Sequence, residues 1–353
     1  MSTYQIAFLS GDGIGKEVAE ETRRVLEYLQ ILLPEIKLNF VPYPMGAGEY
    51  LKNGNPLPDS TLEGIKKADA ILLGAMGLPE VRWSDGTEMV PQIEIREKLD
   101  LYAGERPLRL YHESFTPLKG FQNGEIDLLI IRENTEGLFW GRTAGRSEDP
   151  DSEEDIMHIS RKGAERISRY AFKKAILRPA KKVCLVDKAN VLKSSAFFRE
   201  IFLEVGKQFP EIETECVYVD AFALFLVQRP QTFDVIVTEN MFGDILSDLG
   251  AGLIGGMGMA PSADIGEQHA VFQPSHGTAP DIAGQGIANP VATILSAAMM
   301  MDYLKEPRAA SLLISSVEEI FKEGKNTTRD LGGALSTRAF GDKLMQVMKN
   351  QFE

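Results

Sequence analysis

The chain has 353 residues, enough for two domains of ordinary size or one large α/β unit. Lys and Arg number 38 against 51 Asp and Glu, so the net charge of −13 makes nucleic acid and anionic membrane surfaces unfavourable partners. The N-terminus shows no secretory signal, and no apolar run is long enough to span a membrane. Cys184 and Cys216 are too few for a disulfide scaffold or a zinc site, so we expect a cytoplasmic protein.

Short runs rich in β-branched residues alternate with amphipathic segments along the chain, which predicts an α/β fold with a largely parallel sheet covered on both faces. The predicted strands span residues 5–9, 69–73, 127–131, 182–187, 214–219 and 234–238. The predicted helices span residues 16–29, 91–99, 163–174, 196–205 and 291–304. Residues 42–58 and 141–155 are predicted to be irregular. The second of these is either a flexible loop or a projecting arm that pairs with another subunit.

A glycine-rich motif, Gly-Asp-Gly-Ile-Gly-Lys, occupies residues 11–16 between the first strand and the first helix. Backbone amides in such a turn are able to approach a phosphate at a helix N-terminus. A Walker loop needs Ser or Thr after its lysine, but Glu17 follows Lys16. The Rossmann pattern needs its third glycine where Lys16 stands. We therefore interpret the motif as a tight turn lining a cleft, which disfavours a kinase or GTPase.

Two aspartates in residues 242–249 are the strongest candidates for a metal site. Asp244 and Asp248 are four positions apart, so on a helix both carboxylates project from one face. Paired carboxylates repel unless a cation lies between them, and oxygen ligands suit Mg²⁺ or Mn²⁺. The alternative is a solvated acidic face. The apolar neighbours and the glycine-rich segment that follows favour a helix that begins inside a cleft.

Two further polar residues follow predicted strands. Lys188 follows the strand over 182–187, and Asp220 follows the strand over 214–219. Strand ends in parallel sheets face the ligand crevice. A lysine beside a divalent cation has its ammonium form disfavoured and is then able to act as a general base. A surface lysine is the alternative.

Three arginines form a candidate anion site. Arg96 lies in a predicted helix, Arg106 precedes a proline, and Arg132 ends a predicted strand. Guanidinium groups bind carboxylates bidentately, so convergence of the three in one cleft would indicate a substrate with at least two carboxylates. The alternative is that they are separate surface residues.

A loop over residues 276–290 precedes an apolar helix. Its small residues and backbone amides suit a flat ring and a pyrophosphate, and Asp281 suits ribose hydroxyls but repels a 2′-phosphate. This pattern favours NAD over NADP. A simple turn with a helix N-cap is the alternative.

Together these segments resemble the β-decarboxylating dehydrogenase family of isocitrate, 3-isopropylmalate, homoisocitrate and tartrate/D-malate dehydrogenases. The resemblance rests on motifs in order along nearly the whole chain: GDGIGKEV, IREKLDLYAGERP, IRENTEGLF, VDKANV, YVDA, FGDILSDL, HGTAPDIAGQGIANP and DLGGALSTRAF. It implies an isopropylmalate dehydrogenase-like α/β fold, not a Rossmann fold, with two domains around a central cleft. Residues 1–99 with 254–353 would form the cofactor-binding domain. Residues 100–253 would form the dimerisation and catalytic domain, with a projecting arm near 139–157.

The resemblance also implies roles for the candidate residues. Arg96, Arg106 and Arg132 match the substrate-carboxylate clamp, and Asp244 and Asp248 match the metal ligands of one subunit. The implied reaction is NAD- and Mg²⁺-dependent oxidation of a 2-hydroxy dicarboxylate followed by loss of CO₂. A non-catalytic regulatory subunit of a hetero-oligomer is the alternative.

Lys188 and Asp220 match residues that reach into the site from the partner of a homodimer, so each active site would be shared. Lys188 would accept the hydroxyl proton, and Asp220 would be a third metal ligand. The implied cofactor-binding residues are His276, Gly277, Thr278, Ala279, Asp281, Ile282 and Asn289.

Two departures from the family pattern bear on the chemistry. Phe139 stands where the family normally has a tyrosine that protonates the enol carbon, and Gln273 stands where an acidic residue is common. Before Arg96, isopropylmalate enzymes carry leucines, whereas this chain has Val90, Gln92 and Ile93. An unpaired Gln92 amide against an isopropyl group would cost about 1–3 kcal/mol, so a polar malate-type substrate is favoured over isopropylmalate.

Overall fold

The computed structural model describes residues 2–142 and 151–352, which form an α/β protein with one mixed sheet at its centre. The strands of this sheet are β1 (Ser2–Leu9), β2 (Ile36–Pro42), β3 (Ala70–Leu73), β4 (Ala103–Arg109), β5 (Asp127–Glu133), β6 (Lys182–Asp187), β7 (Glu213–Tyr218), β8 (Val235–Thr238), β9 (Pro261–Ile265) and β10 (Ala270–Pro274). The helices are α1 (Gly15–Leu32), α2 (Ala47–Asn53), α3 (Asp59–Ile65), α4 (Pro91–Lys98), α5 (Arg161–Ile176), α6 (Lys193–Gly206), α7 (Val219–Gln228), α8 (Asn240–Leu253), α9 (Val291–Tyr303), α10 (Pro307–Phe321) and α11 (Thr337–Phe352).

The ten strands follow the order β2-β1-β3-β10-β9-β4-β5-β8-β6-β7. Strands β4, β9 and β10 form the antiparallel pairs β4–β5, β4–β9 and β9–β10, and the other pairs are parallel. The sheet is therefore largely parallel, as predicted. Its apolar side chains are covered by helices that include α1, α5, α6 and α9.

The two halves of the sheet come from different parts of the chain. Strands from residues 1–99 and 254–353 form the half that ends at β9, and strands from residues 100–253 form the half that begins at β4. The halves meet where β4 pairs with β9 through Ala103–Ile265, Gly104–Asp264 and Glu105–Ala263. We propose that these halves correspond to the two domains expected from the sequence.

All six predicted strands and all five predicted helices are present, with ends that differ by a few residues. Residues 42–58 were predicted to be irregular but contain α2, so that prediction was wrong in part. Strands β2, β4, β9 and β10 were not predicted. Strand β4 has the sequence AGERPLR and β9 has PSADI, and polar or proline residues interrupt the β-branched pattern in both. Pairing of β4 with β9 ends at Glu105, before Pro107, which has no N–H to donate.

The predicted arm is described only in part, because residues 143–150 lie outside the described residues. Beside it, Gly137 and His158 form an antiparallel bridge. The distance from Gly137 N to His158 O is 2.8 Å, and that from His158 N to Gly137 O is 3.1 Å. Among the helices in the described ranges, none combines the length and apolar character needed to cross a bilayer.

Candidate active site

The three predicted arginines converge on one cleft beside the junction of the sheet halves. Arg96 projects from α4, Arg106 from β4 and Arg132 from the end of β5, and each is at most 6% exposed. The cleft has a volume of about 230 Å³, and its lining also includes Asp244 and Asp248. The interpretation of the arginines as separate surface residues was therefore wrong.

Helix α8 positions Arg132. The Glu239 carboxylate accepts from the Met241 and Phe242 amides at 3.1 and 2.8 Å and so caps the helix N-terminus. The Asn240 Oδ1 then accepts from Arg132 Nε at 3.0 Å and from its Nη2 at 2.7 Å. These two hydrogen bonds fix the plane of the guanidinium group.

Gly243 has no side chain and therefore lets Arg132 pack closely against α8. A Cβ at Gly243 would lie 2.7 Å from the Cγ of Arg132, closer than unbonded carbons approach, so only glycine fits. The Nη1 of Arg132 forms an ion pair with Asp244. The FGD segment of the sequence therefore places a metal-ligand candidate directly against the arginine clamp.

Three buried polar atoms beside the cleft have no hydrogen-bond partner among residues 2–142 and 151–352. They are Gln92 Oε1, Arg106 Nε and His276 Nε2, and all three residues line the cleft. Unsatisfied buried polar atoms are uncommon in folded proteins and here identify positions that a polar ligand would satisfy.

Desolvation lowers the pKa values of two arginines of the clamp. Burial, together with the neighbouring Arg96, lowers the pKa of Arg132 to about 10, and burial also lowers the pKa of Arg106. Both groups remain cationic near neutral pH, so a bound anion would relieve the cost of burying them. Partial desolvation and the charge of Asp244 raise the pKa of Asp248.

Asp244 and Asp248 lie one turn apart on α8 and both line the cleft, as predicted. No cluster of three His, Cys, Asp or Glu side chains suited to a metal ion forms within the described part of this single chain. Mg²⁺ prefers six oxygen ligands and retains waters or substrate oxygens. The two carboxylates thus fit part of a hard-cation site that needs oxygens from another source.

Lys188 and Asp220 lie together but outside the lining of this cleft. Lys188 Nζ is 2.6 Å from Asp220 Oδ1, and the Asp220 side chain is 70% exposed. Asp220 follows the end of β7 at Tyr218, as predicted, and lies in the first turn of α7. Within one chain, therefore, the predicted base and third carboxylate do not meet the clamp.

A second cavity, of about 460 Å³, adjoins the first, and His276 lines both. Of the predicted cofactor residues, His276, Ile282 and Asn289 line this second cavity. Arg329 and Asp330 also line it and were not predicted.

The remaining predicted cofactor residues lie on the same loop but outside the lining of the second cavity. Gly277 lines the first cleft, and Asp281 is exposed. Thr278 is buried, and Ala279 has a φ of +35°. Neither Thr278, Ala279 nor Asp281 belongs to the lining of the second cavity.

The glycine-rich turn at residues 11–16 supports this loop. Ile14 lines the second cavity, and its amide donates to the Thr278 carbonyl at 2.8 Å. Glu17 accepts from the amides of Gly284 and Gly286. The prediction of a tight turn that lines a cleft is confirmed.

Several site residues were missed from the sequence. Asp264 on β9 accepts from Arg96 Nε at 3.0 Å and from Asn134 Nδ2 at 2.8 Å, and Asn240 holds Arg132. Asp330 accepts from Asn289 Nδ2 at 3.0 Å. The one available signal was an aspartate within the otherwise uncharged run PSADI, which costs free energy in a buried strand unless it is paired.

Comparison with known proteins identifies the family of this chain. The family model described as isocitrate/isopropylmalate dehydrogenase matches residues 5–344. The 3-isopropylmalate dehydrogenase of Archaeoglobus fulgidus is 41% identical over 98% of this chain and 99% of its own. The isocitrate/homoisocitrate dehydrogenase of Thermus thermophilus is 43% identical with the same coverage. The crystal structure of isocitrate dehydrogenase from Methylococcus capsulatus superposes with a TM-score of 0.89 at 37% identity, covering 98% of this chain and 99% of that one.

The fold is the isocitrate dehydrogenase-like α/β architecture. The chain belongs to the isocitrate/isopropylmalate dehydrogenase family and is a decarboxylating dehydrogenase of that family. Membership implies a nicotinamide cofactor, a divalent metal ion and a small hydroxy-acid substrate. The resemblance inferred from the ordered motifs is confirmed.

Proposed function

We propose that the protein oxidises and decarboxylates a 2-hydroxy dicarboxylate of the malate type with NAD⁺ and Mg²⁺ or Mn²⁺, as a cytoplasmic homodimer. The observation that carries this proposal is the convergence of three buried arginines and two aspartates on one cleft of about 230 Å³. Guanidinium groups bind carboxylates bidentately, so a cluster of three beside a pair of metal-ligand candidates suits a substrate with two carboxylates.

The substituent at C3 is assigned from Gln92. Its Oε1 is buried, lines the cleft and has no hydrogen-bond partner among the described residues, so a polar substituent of a malate-type substrate would satisfy it. Within the described residues, the three arginines of the clamp are accompanied by the carboxylates of Asp244, Asp248 and the adjacent Asp264.

Different residues would bind the substrate, accept a proton and hold the metal ion. Arg96, Arg106 and Arg132 would bind and orient the substrate carboxylates, and the amide of Gln92 would contact a polar substituent at C3. Lys188 Nζ, supplied by the partner, would take the proton of the C2 hydroxyl. Asp244 and Asp248, together with the partner's Asp220, would hold a divalent ion that supplies Lewis-acid chemistry, and the second cavity would hold a nicotinamide that supplies hydride acceptance.

The second cavity is proposed to bind NAD through the residues predicted for it. His276, Ile282 and Asn289 line it, and Asp281 lies on the same loop. A carboxylate at position 281 repels a 2′-phosphate, which supports NAD over NADP.

A homodimer would complete the site. Leu224 and Val227 on α7 and Ile245 on α8 are apolar yet 52%, 39% and 59% exposed, and α7 packs against α8. Asp220 and Asp244 belong to these same two helices. A second copy seated on this face would bury the apolar side chains and bring Lys188 and Asp220 to the opposite cleft.

The test is NADH formation with Mg²⁺ and NAD⁺ over D-malate, the tartrate isomers, isocitrate, homoisocitrate and 3-isopropylmalate, with CO₂ measured in parallel. We expect turnover of a malate-type member of the panel. Preference for isocitrate or 3-isopropylmalate would overturn the substrate assignment. NAD⁺ binding with no turnover of any substrate would instead support the regulatory-subunit alternative.

Replacing Gln92 by leucine is expected to raise kcat/KM for 3-isopropylmalate relative to D-malate about tenfold. The change removes the unsatisfied Oε1 atom from the cleft and supplies an apolar surface for the isopropyl group. The measurement is the ratio of the two kcat/KM values. The control Gln92→Asn keeps an amide and should not favour isopropylmalate. An unchanged ratio in the leucine variant would show that Gln92 does not select the substrate.

Replacing Phe139 by tyrosine is expected to speed decarboxylation relative to oxidation. Phe139 lines the cleft, and its ring centroid lies 5.6 Å from the guanidinium carbon of Arg132, so a hydroxyl added there would enter the site. The measurement is the ratio of CO₂ to NADH, with Phe139→Leu as the variant that changes the ring without adding a hydroxyl. If the tyrosine variant leaves the ratio unchanged, the proton comes from another group.

A further inference from the structure

A buried carboxylate lies directly behind the arginine clamp. Asp264 is 1% exposed, and its β9 segment pairs with β4, which carries Arg106. Its Oδ2 accepts from Arg96 Nε at 3.0 Å, and its Oδ1 lies 3.9 Å from Arg106 Nη2. The Nη groups of Arg96 are thereby left for a ligand. Although burial opposes ionisation, the two arginines outweigh it and hold the pKa of Asp264 below its usual value.

Besides Arg96, Arg106 and Asn134, Asp264 contacts Gln273. The Gln273 Nε2 donates to Asp264 Oδ2 at 2.6 Å from the neighbouring strand β10, and Gln273 is itself 7% exposed and lines the cleft. Position 273 is one of the two departures from the family pattern, because an acidic residue is common there. In this chain the hydrogen bond between positions 264 and 273 has its carboxylate on Asp264 and its amide on Gln273.

We propose that Asp264 and Gln273 act as one unit that fixes the charge behind Arg96 and Arg106 at a single negative unit. Asp264 thus acts on substrate only through the charge that it places beside the arginines. The proposal deepens the proposed function and rests on it for the identity of the anion. Its consequence is a cleft with balanced charge, in which a dicarboxylate binds strongly only together with the divalent cation.

The neutral amide at position 273 is required by the same geometry. A glutamate there would place a second buried carboxylate against Asp264, and like charges at hydrogen-bond distance repel strongly. Exchange of the two groups, with asparagine at 264 and glutamate at 273, would instead keep one carboxylate, one amide and one hydrogen bond. This exchange separates the effect of charge from the effect of shape.

The experiment compares wild type, Asp264→Asn, Gln273→Glu and the double variant for sulfate and D-malate binding without Mg²⁺. Affinity is measured by calorimetry and by protection against thermal unfolding. Sulfate is a dianion that an arginine clamp lining an open cleft would bind, so the result does not depend on the identity of the substrate. We expect anion affinity about tenfold higher in Asp264→Asn, about tenfold lower in Gln273→Glu, and within about threefold of wild type in the double variant.

The matched control is Glu213→Gln on β7. Its carboxylate is 68% exposed, pairs with Lys182 and is absent from the lining of the cleft, so the same change in net charge should leave anion affinity unaltered. If Asp264→Asn does not fold, weaker binding in Gln273→Glu with rescue in the double variant carries the same conclusion.

A merely structural pair would weaken binding in both single variants, and that result would overturn the proposal. Failure of the double variant to recover would also overturn it. Turnover of none of the hydroxy acids, together with the expected order of sulfate affinities, would refute the proposed function and leave the role of the pair intact.

Discussion

Replacing Asp244 by asparagine is expected to lower Mg²⁺-dependent NADH formation at least about a hundredfold. Asp244 is one of two carboxylates on the cleft-lining face of α8, and it also pairs with Arg132. Asparagine keeps the size of the side chain but removes the negative charge that a hard divalent cation requires. The measurement is the initial rate as a function of Mg²⁺ and of Mn²⁺ concentration, with the thermal unfolding midpoint recorded to show that the variant is folded.

The matched control for this variant is Asp342→Asn. Asp342 lies on α11, is 58% exposed, pairs with Arg24 and does not line the cleft, so its loss should leave the rate within about twofold of wild type. A folded Asp244→Asn enzyme with an unchanged metal dependence would refute the assignment of Asp244 as a metal ligand.

Two inactive variants are expected to regain activity when they are combined in one dimer. Lys188→Met removes the proposed base, which lies outside the cleft of its own chain, whereas Asp244→Asn damages the cleft itself. In a mixed dimer, one site joins an intact cleft to an intact Lys188, and the other site carries both defects. Random pairing makes half of the dimers mixed, so about a quarter of wild-type activity should return. Co-expression of the two variants, followed by NADH assay, provides the measurement.

The control is a second mixture, of Lys188→Met with Asp220→Asn. Lys188 and Asp220 are 2.6 Å apart and would enter the same partner cleft together, so every site of the mixed dimer keeps one defect. This mixture should stay inactive. Recovery in the control, or none in the Lys188 and Asp244 mixture, would contradict a site shared between subunits.

Much of the framework is determined by local sequence. The buried strands β1, β6 and β8 are apolar runs between polar breaks, and α1 has an apolar stripe, so their positions follow from periodicity alone. The spacing of Asp244 and Asp248 likewise determines that both project from one face of α8. The ordered motifs identify the family because their combined occurrence is specific even where each motif is not.

Two strands that carry site charges were not predicted by this reasoning. Strands β4 and β9 include Arg106 and Asp264, and a charged residue in a buried strand contradicts the local pattern that predicts strands. Such exceptions are expected at functional sites, where the fold accepts a local cost for chemistry. The charged residues that serve the site are therefore the same ones that made β4 and β9 hard to predict.

The sequence by itself determined the α/β class, the family and which side chains are chemically suited to the site. Only the tertiary structure decided that Arg96, Arg106 and Arg132 meet, that Asp264 lies behind them, and that Lys188 and Asp220 stay outside their own cleft. The physical reason is that local periodicity specifies which side of an element is buried. Contacts between residues more than a hundred positions apart, such as Arg132 with Asn240, depend on how strands order in the sheet and helices pack against it.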